Sequence, residues 1–289
     1  MIRLNLTIDL RYEVLNQTSD FIFNIHPART KHQSLIRENM LINQTVSPNF
    51  SSEKPDGSRF MQLQAAPGLF SIDYSATVDI DHHIESPARI EEIPIRQLPP
   101  NVISYIYPSR YCESDRLHRL AGHEFGHLKQ GYWRVQAIQE WVKSRTSFVS
   151  GSSRGTTSAM DTLVDQVGVC RDFAHLMIAL CRAVNIPARF VTGIDYGADP
   201  ALGPTDFHAY VEVYIGHRWY LFDPTGVSPP MGLVRIGTGR DAADVPFATI
   251  FGQVNSYAPV IHIEAVDDIP NGYFMPLYSA EGISSMANE

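Results

Sequence analysis

Cysteine is scarce. Cys112, Cys170 and Cys181 are spread through 289 residues, too few and too scattered for a disulfide framework or a four-thiolate zinc site. They read as free thiols in a reducing compartment. Positive charge is in deficit too: 23 Lys and Arg against 31 Asp and Glu leave a net charge of −8. Nucleic acids and anionic membranes reward Lys and Arg gathered on one face. No such gathering is present, so neither partner is expected. Long apolar runs are missing as well; Leu176–Leu180 falls far short of the ~20 residues a membrane span requires. Met1-Ile2-Arg3-Leu4-Asn5-Leu6 turns polar at once, without the apolar segment of a signal peptide. The expectation is an acidic, soluble, cytoplasmic chain. Apolar residues at 44% and charged residues at 19% exclude a disordered chain or a coiled coil. The length suits about two domains of ~100–200 residues each.

The first hundred residues carry strand patterns. Leu4–Leu10 alternates apolar with polar, and Phe21–Ile25 does so more loosely. In Tyr74–Glu85, Val78, Ile80 and Ile84 share a face with His82, while Asp79, Asp81, His83 and Glu85 line the other. Loops rich in Pro, Ser, Asn and Gly, such as Val46–Ser58, separate these runs. No convincing helical period interrupts them, which predicts an antiparallel β-sandwich over residues 1–105. A connector studded with proline follows, from Pro94 to Pro108, and holds an extended path.

Residues 106–289 have a different texture. Apolar positions at Trp133, Ala137, Ile138, Trp141 and Val142 predict a helix over Tyr132–Ser144. A Ser/Gly/Thr-rich loop leads to a second helix, about Val169–Val184, which Pro187 stops. Arg189–Ile194, His208–Ile215, Arg218–Phe222 and Val260–Ala265 read as strands. The fold class is therefore α+β.

The chemistry concentrates between Asp161 and Thr225. Gly168-Val169-Cys170 stands at the entry to the second helix. A thiol there meets unpaired backbone N–H groups and the positive end of the helix dipole, both of which favour thiolate. Most free cysteines are nevertheless small buried hydrophobes. The hairpin downstream adds weight. If Gly216-His217 is a two-residue turn, Ile215 pairs with Arg218 and Tyr210 faces Asp223. His208 then lies one diagonal step from Asp223 on the same face, roughly 7–8 Å away at the backbone. A carboxylate so placed can hold one ring nitrogen's proton and leave the other to act on a thiol.

Together, Gly168-Val169-Cys170-Arg171-Asp172-Phe173-Ala174-His175, Phe207-His208-Ala209-Tyr210-Val211-Glu212-Val213 and Trp219-Tyr220-Leu221-Phe222-Asp223-Pro224-Thr225 resemble the bacterial transglutaminase-like superfamily. Ile186-Pro187-Ala188-Arg189-Phe190, Gly237-Thr238-Gly239-Arg240-Asp241-Ala242 and Pro108-Ser109-Arg110-Tyr111-Cys112 are similar to it too. The resemblance implies a papain-like core, with a Cys-bearing helix packed on an antiparallel sheet behind an N-terminal β-domain. It implies a nucleophile at Cys170, a general base and acid at His208 and an orienting carboxylate at Asp223. The reaction it implies is acyl transfer from an amide or peptide bond through a Cys thioester, ending in hydrolysis or amine transfer. No cofactor and no metal are expected, and no segment matches the calcium sites of animal transglutaminases. A protein or peptide substrate is the expected partner. The Cys170 N–H is a candidate oxyanion donor; Gln166 is a possible second, though more readily a surface residue.

Other signals compete. A non-catalytic interaction module could keep this fold, although such a scaffold has no need of Cys170, His208 and Asp223 together. His123-Glu124-Phe125-Gly126-His127 fits the zinc pattern H-E-x-x-H. Gly122, Gly126 and Gly131 crowd that segment, each costing a helix ~1 kcal/mol relative to Ala, and Trp133 occupies the position of a third histidine. A surface loop is expected there. Asp79, Asp81, His83 and Glu85 read as a solvated strand face, His175 as structural, Asp172 as helix support, Cys181 as core, and Cys112 as part of the connector.

Overall fold

The computed structural model describes residues 1–51, 55–199 and 205–286; three residues of the Val46–Ser58 loop lie outside them. The first half consists of β1 (Ile2–Val14), β2 (Ser19–Phe23), β3 (Gln33–Ile42), β4 (Asn49–Phe50), β5 (Met61–Ala65), β6 (Gly68–Ile80) and β7 (His83–Glu85). Strict alternation buries every second side chain of β1 from Ile2 to Val14. The long β1–β6 ladder, from Ile2 opposite Ile80 to Val14 opposite Gly68, aligns that apolar face with Phe70, Ile72 and Tyr74. β2 and β5 supply the facing layer, with the rings of Phe21 and Phe23 packed at a tilt against Phe70 and Tyr12. Two antiparallel sheets on one apolar core make the expected sandwich.

The second half runs α1 (His118–Phe125), α2 (Tyr132–Arg145), β8 (Ser147–Phe148), α3 (Ala159–Asp165), β9 (Val167–Gly168), α4 (Cys170–Ala183), β10 (Ala188–Asp195), β11 (Phe207–Ile215), β12 (Arg218–Phe222) and β13 (Leu233–Gly239). β12-β11-β10-β13 form an antiparallel sheet. The odd-numbered residues of β11, Ala209 to Ile215, pack under α4 with Tyr220 and Phe222. The reverse face is also covered. Tyr214 and Trp219 hold the connector residues Leu98 and Val102, and Ile194, Val234 and Ile236 merge with the sandwich core. Both faces being dry, β10 and β13 are buried along their whole length.

This double burial hides β13 from period-two patterning. Its Arg235, fully buried, reaches Glu212 at 3.3 Å, and Glu212 in turn binds Arg189 at 2.7 Å. Gln33 of the sandwich accepts the Arg235 backbone N–H and donates to its carbonyl. The two halves are thus joined through hydrogen bonds to the β13 backbone as well as apolar contact.

Three expectations need correction. The C-terminal strands β14 (Ala248–Phe251), β15 (Val254–Ser256) and β16 (Val260–Ala265) do not extend the second domain; they pair with β2 and β1. Open edges of the sandwich take them up, and β17 (Gly282–Ser284) likewise pairs with a first-half strand, β7. The Tyr74–Glu85 strand breaks after Ile80, so Ile84 is exposed while Asp79 is buried and clamped by Arg3 at 2.6 and 2.7 Å. The His123 segment is helical rather than a loop, because Leu117, Ala121 and Phe125 fasten it to the core. Among the described residues no helix is long and apolar enough to cross a membrane.

Candidate active site

Cys170 is the first residue of α4, and its side chain is half-buried, whereas Cys112 and Cys181 are fully buried. The helix entry is tightly built. The Asp172 carboxylate accepts the Val169 N–H at 2.9 Å and the Ser153 hydroxyl at 2.9 Å, satisfying one of the helix's orphan donors. Arg171 ties the same loop down through Ser153 at 2.8 Å and the Arg154 carbonyl. Gly168 is needed here because a Cβ would stand 2.7 Å from that of Asp172. Asp172 is thus the support residue expected, and it fixes where the thiol sits.

His208 comes from β11. The Gly216-His217 turn has φ of 57° and 60°, the type I′ geometry of a two-residue hairpin. Ile215 pairs with Arg218 and Val211 with Phe222, the expected register. Asp223 follows at the strand end, its Oδ1 accepting the Thr225 N–H at 2.9 Å and hydroxyl at 2.6 Å. Oδ1 also lies 3.6 Å from His208 Nε2, an ion-pair separation rather than a hydrogen bond. Cys170 adjoins His208 closely enough for a side-chain hydrogen bond. Cys170, His208 and Asp223 therefore meet.

Burial by itself would depress the imidazole. The charge of Cys170, the Asp223 carboxylate and Asp195 together outweigh burial and hold His208 well above its ordinary value. Asp223 is pushed up by burial but pulled down further by His208 and Thr225, and ends below the usual carboxylate range. Cys112 is driven up to about 12 by burial, and Cys181 higher still for the same reason. Imidazolium and carboxylate side by side are the state suited to a thiolate nucleophile.

Cys170 and His208 border an open cleft of about 780 Å³, with Asp223 buried behind the imidazole. One wall is the β8–α3 loop, including Ser150, Ser153 and Arg154, and the other carries Asp195, Phe207 and His208. Two neighbours of His208 escaped the sequence pattern. Tyr210 sets its ring across the imidazole at 4.6 Å and 65°, held by Ser228 at 2.6 Å. Asp195 approaches Nδ1 to 3.9 Å. Only the β10–β11 register could have revealed it, and that register spans a long connection.

The remaining candidates lie elsewhere. Gln166 is exposed, in a left-handed conformation at the end of α3, and turns away from the cleft towards Leu163 and Trp141. His175 is buried, stacked on Tyr111 at 5.0 Å, and its Nε2 accepts the Ala242 N–H; it is structural. His127 lies past the end of α1, and Glu124 accepts the Trp141 indole N–H at 2.9 Å. Among the described residues no three His, Cys, Asp or Glu side chains converge as metal ligands.

Known proteins share this fold. The transglutaminase-like superfamily model matches residues 121–224, and that of the bacterial transglutaminase N-terminal domain matches residues 2–101. A solved structure of a candidate cysteine protease from Cytophaga hutchinsonii is 39% identical, with a TM-score of 0.90 over 98% of this chain and 97% of that one. An uncharacterised Mycobacterium leprae protein is 34% identical over 116 residues, 38% of this chain and 41% of its own length. An uncharacterised Mycobacterium tuberculosis protein is 32% identical over 135 residues, 43% of each chain. The matched region thus spans less than half the length of these curated relatives.

Proposed function

Because this chain belongs to the transglutaminase-like superfamily, we propose that it is a thiol-dependent amide hydrolase working through an acyl-enzyme on Cys170. One observation carries the reading: a half-buried thiol at a helix N-terminus adjoins an imidazole whose Nε2 faces Asp223 at 3.6 Å.

The Cys170 thiolate attacks the carbonyl carbon of an amide, and the carbonyl π electrons move onto oxygen. The Cys170 backbone N–H, free at the helix start, donates to that oxyanion. Collapse breaks the C–N bond, and the amine leaves with the proton of the His208 imidazolium, giving a thioester. Neutral His208 then takes a proton from water as its oxygen attacks the thioester. The acid departs, and thiolate and imidazolium are restored. Asp223 keeps Nε2 protonated and the ring oriented throughout. An amine in place of water gives transfer; the name of the Cytophaga hutchinsonii relative favours water. The substrate is a protein or peptide, which the sandwich positions at the cleft through Phe247 stacked on Phe207 at 4.6 Å.

Mass spectrometry of a peptide library, with and without an added primary amine, tests the proposal. Cleaved amides that persist when amine is present are expected. Amine adducts in their place would make the protein a transferase. Equal product from a Cys170→Ala protein would remove the thiol from the chemistry.

A further inference from the structure

His208 sits on the middle of three strands. The β11–β12 ladder ends with Val211 across from Phe222; continued one step, it sets Asp223 beside Tyr210, which makes Asp223 the diagonal neighbour of His208 on one side. Opposed residues of β10 and β11 place Gly193 across from His208. Asp195, two positions along β10 and on the same face, is therefore the diagonal neighbour on the other side. Gly193 leaves no side chain between them, and a Cβ there would stand 2.4 Å from Leu233. The ring is flanked by two carboxylates: Asp223 3.6 Å from Nε2 and Asp195 3.9 Å from Nδ1.

Asp195 is 3% exposed, and its Oδ2, the atom nearest Nδ1, is buried without a hydrogen-bond partner. A buried carboxylate oxygen left without a hydrogen bond is costly and calls for a compensating charge. Around His208 stand Cys170 from α4, Asp195 from β10, Tyr210 on β11 itself, and Asp223 after β12. Tyr278 of the C-terminal segment feels the fields of both carboxylates. The compensating cation is the imidazolium.

The geometry points to Asp195 as a second positioning carboxylate for His208, acting on the Nδ1 edge while Asp223 holds the Nε2 edge. This rests on the proposed thiol mechanism and deepens it. Thiolate charge vanishes when sulfur bonds to the carbonyl carbon, whereas the charges of Asp195 and Asp223 persist. Asp195 therefore keeps Nδ1 protonated up to the moment the amine departs with that proton. It touches neither substrate nor sulfur in this role and works only through the ring.

Histidine-labelled protein followed by NMR over a pH series reads the His208 titration directly and needs no substrate. Asp195→Asn removes one charge with little change in shape. Its His208 midpoint should fall by about one pH unit or more, the size expected for an opposite charge within ~4–6 Å. Asp195→Glu should restore most of the midpoint. If Asp195→Asn does not fold, Asp195→Ser serves for the same measurement. An unmoved midpoint in either folded variant overturns the proposal. Iodoacetamide labelling of Cys170 separates this failure from that of the mechanism. If His208→Ala slows labelling while the Asp195→Asn midpoint stays put, only the role of Asp195 falls. If His208→Ala leaves labelling unchanged, the thiol–imidazole pair falls and the Asp195 proposal with it.

Discussion

His26 in the sandwich and His208 in the cleft are both buried imidazoles, yet they are shifted in opposite directions. His26 is walled by the rings of Phe50 and Tyr74 at 5.5 and 5.0 Å. Burial, with Arg59 adding to it and Glu38 only partly opposing, pushes it down to about 4. His208 suffers the same burial but faces a thiol and two carboxylates, and ends well above its ordinary value. His175, only five residues beyond Cys170, is pushed well down by burial, with Arg171 and Arg182 adding to it. Burial sets the cost of charging an imidazole. Which charges share the cavity decides whether that cost is met, and only the cleft meets it.

The largest effect that sharpens this contrast is on catalysis. His208→Ala should lower amide turnover by roughly 10²–10⁴-fold, the range of a general acid–base group, while His175→Gln should act through stability alone. In the same variants, iodoacetamide at roughly pH 6, below the ordinary thiol range, should label Cys170 first and slow markedly without His208. Faster labelling of Cys112 or Cys181 in the native protein would erase the distinction between cleft and core.

Next in size is acid stability. His26 moves from an ordinary 6.5 to about 4 on folding, so the unfolded chain takes up the proton first. The stability present above the unfolded value is lost as pH falls through this window, about 3 kcal/mol at ~1.4 kcal/mol per unit. Urea midpoints at neutral and acid pH should therefore lie closer together in His26→Asn than in the parent. His208 has the reverse sign. Its contribution is complete below ~6.5 and fades as pH rises through its raised folded value. A separation of the two midpoints that is unchanged in His26→Asn would refute the assignment for His26.

The smallest effect is steric. Gly168→Ala pushes a methyl group against Asp172 and should cost about 1–3 kcal/mol as local overpacking. The disturbance lies at the helix start, so Cys170 labelling should fall more than global unfolding stability. Equal loss in both would mean that the helix entry has no separate part in positioning the thiol.

Much of this was legible from local pattern. The alternation in Leu4–Leu10 identified β1, and Gly216-His217 set the hairpin register that brings His208 to Asp223. Period-two and turn signals are short-range, and tertiary context did not override them here. Other elements were not legible. Leu233–Gly239 contains a buried Arg235 and is covered on both faces, so it lacks the alternation that marks a half-exposed strand. The glycines around His123 argued against a helix, but Leu117, Ala121 and Phe125 bury enough apolar surface to outweigh propensities of ~1 kcal/mol each.

By itself the sequence determined the α+β class, the strand and helix that carry the thiol and imidazole, and the hairpin turn that aligns the first carboxylate. Each rests on residues close together in the chain, where φ preference and side-chain period act directly. The tertiary structure alone decided that β14–β16 close the sandwich, that Gln33 ties the Arg235 backbone to it, and that Asp195 stands at the second edge of His208. Those placements depend on which strand edges and buried charges find partners across long loops, and no local pattern encodes that choice.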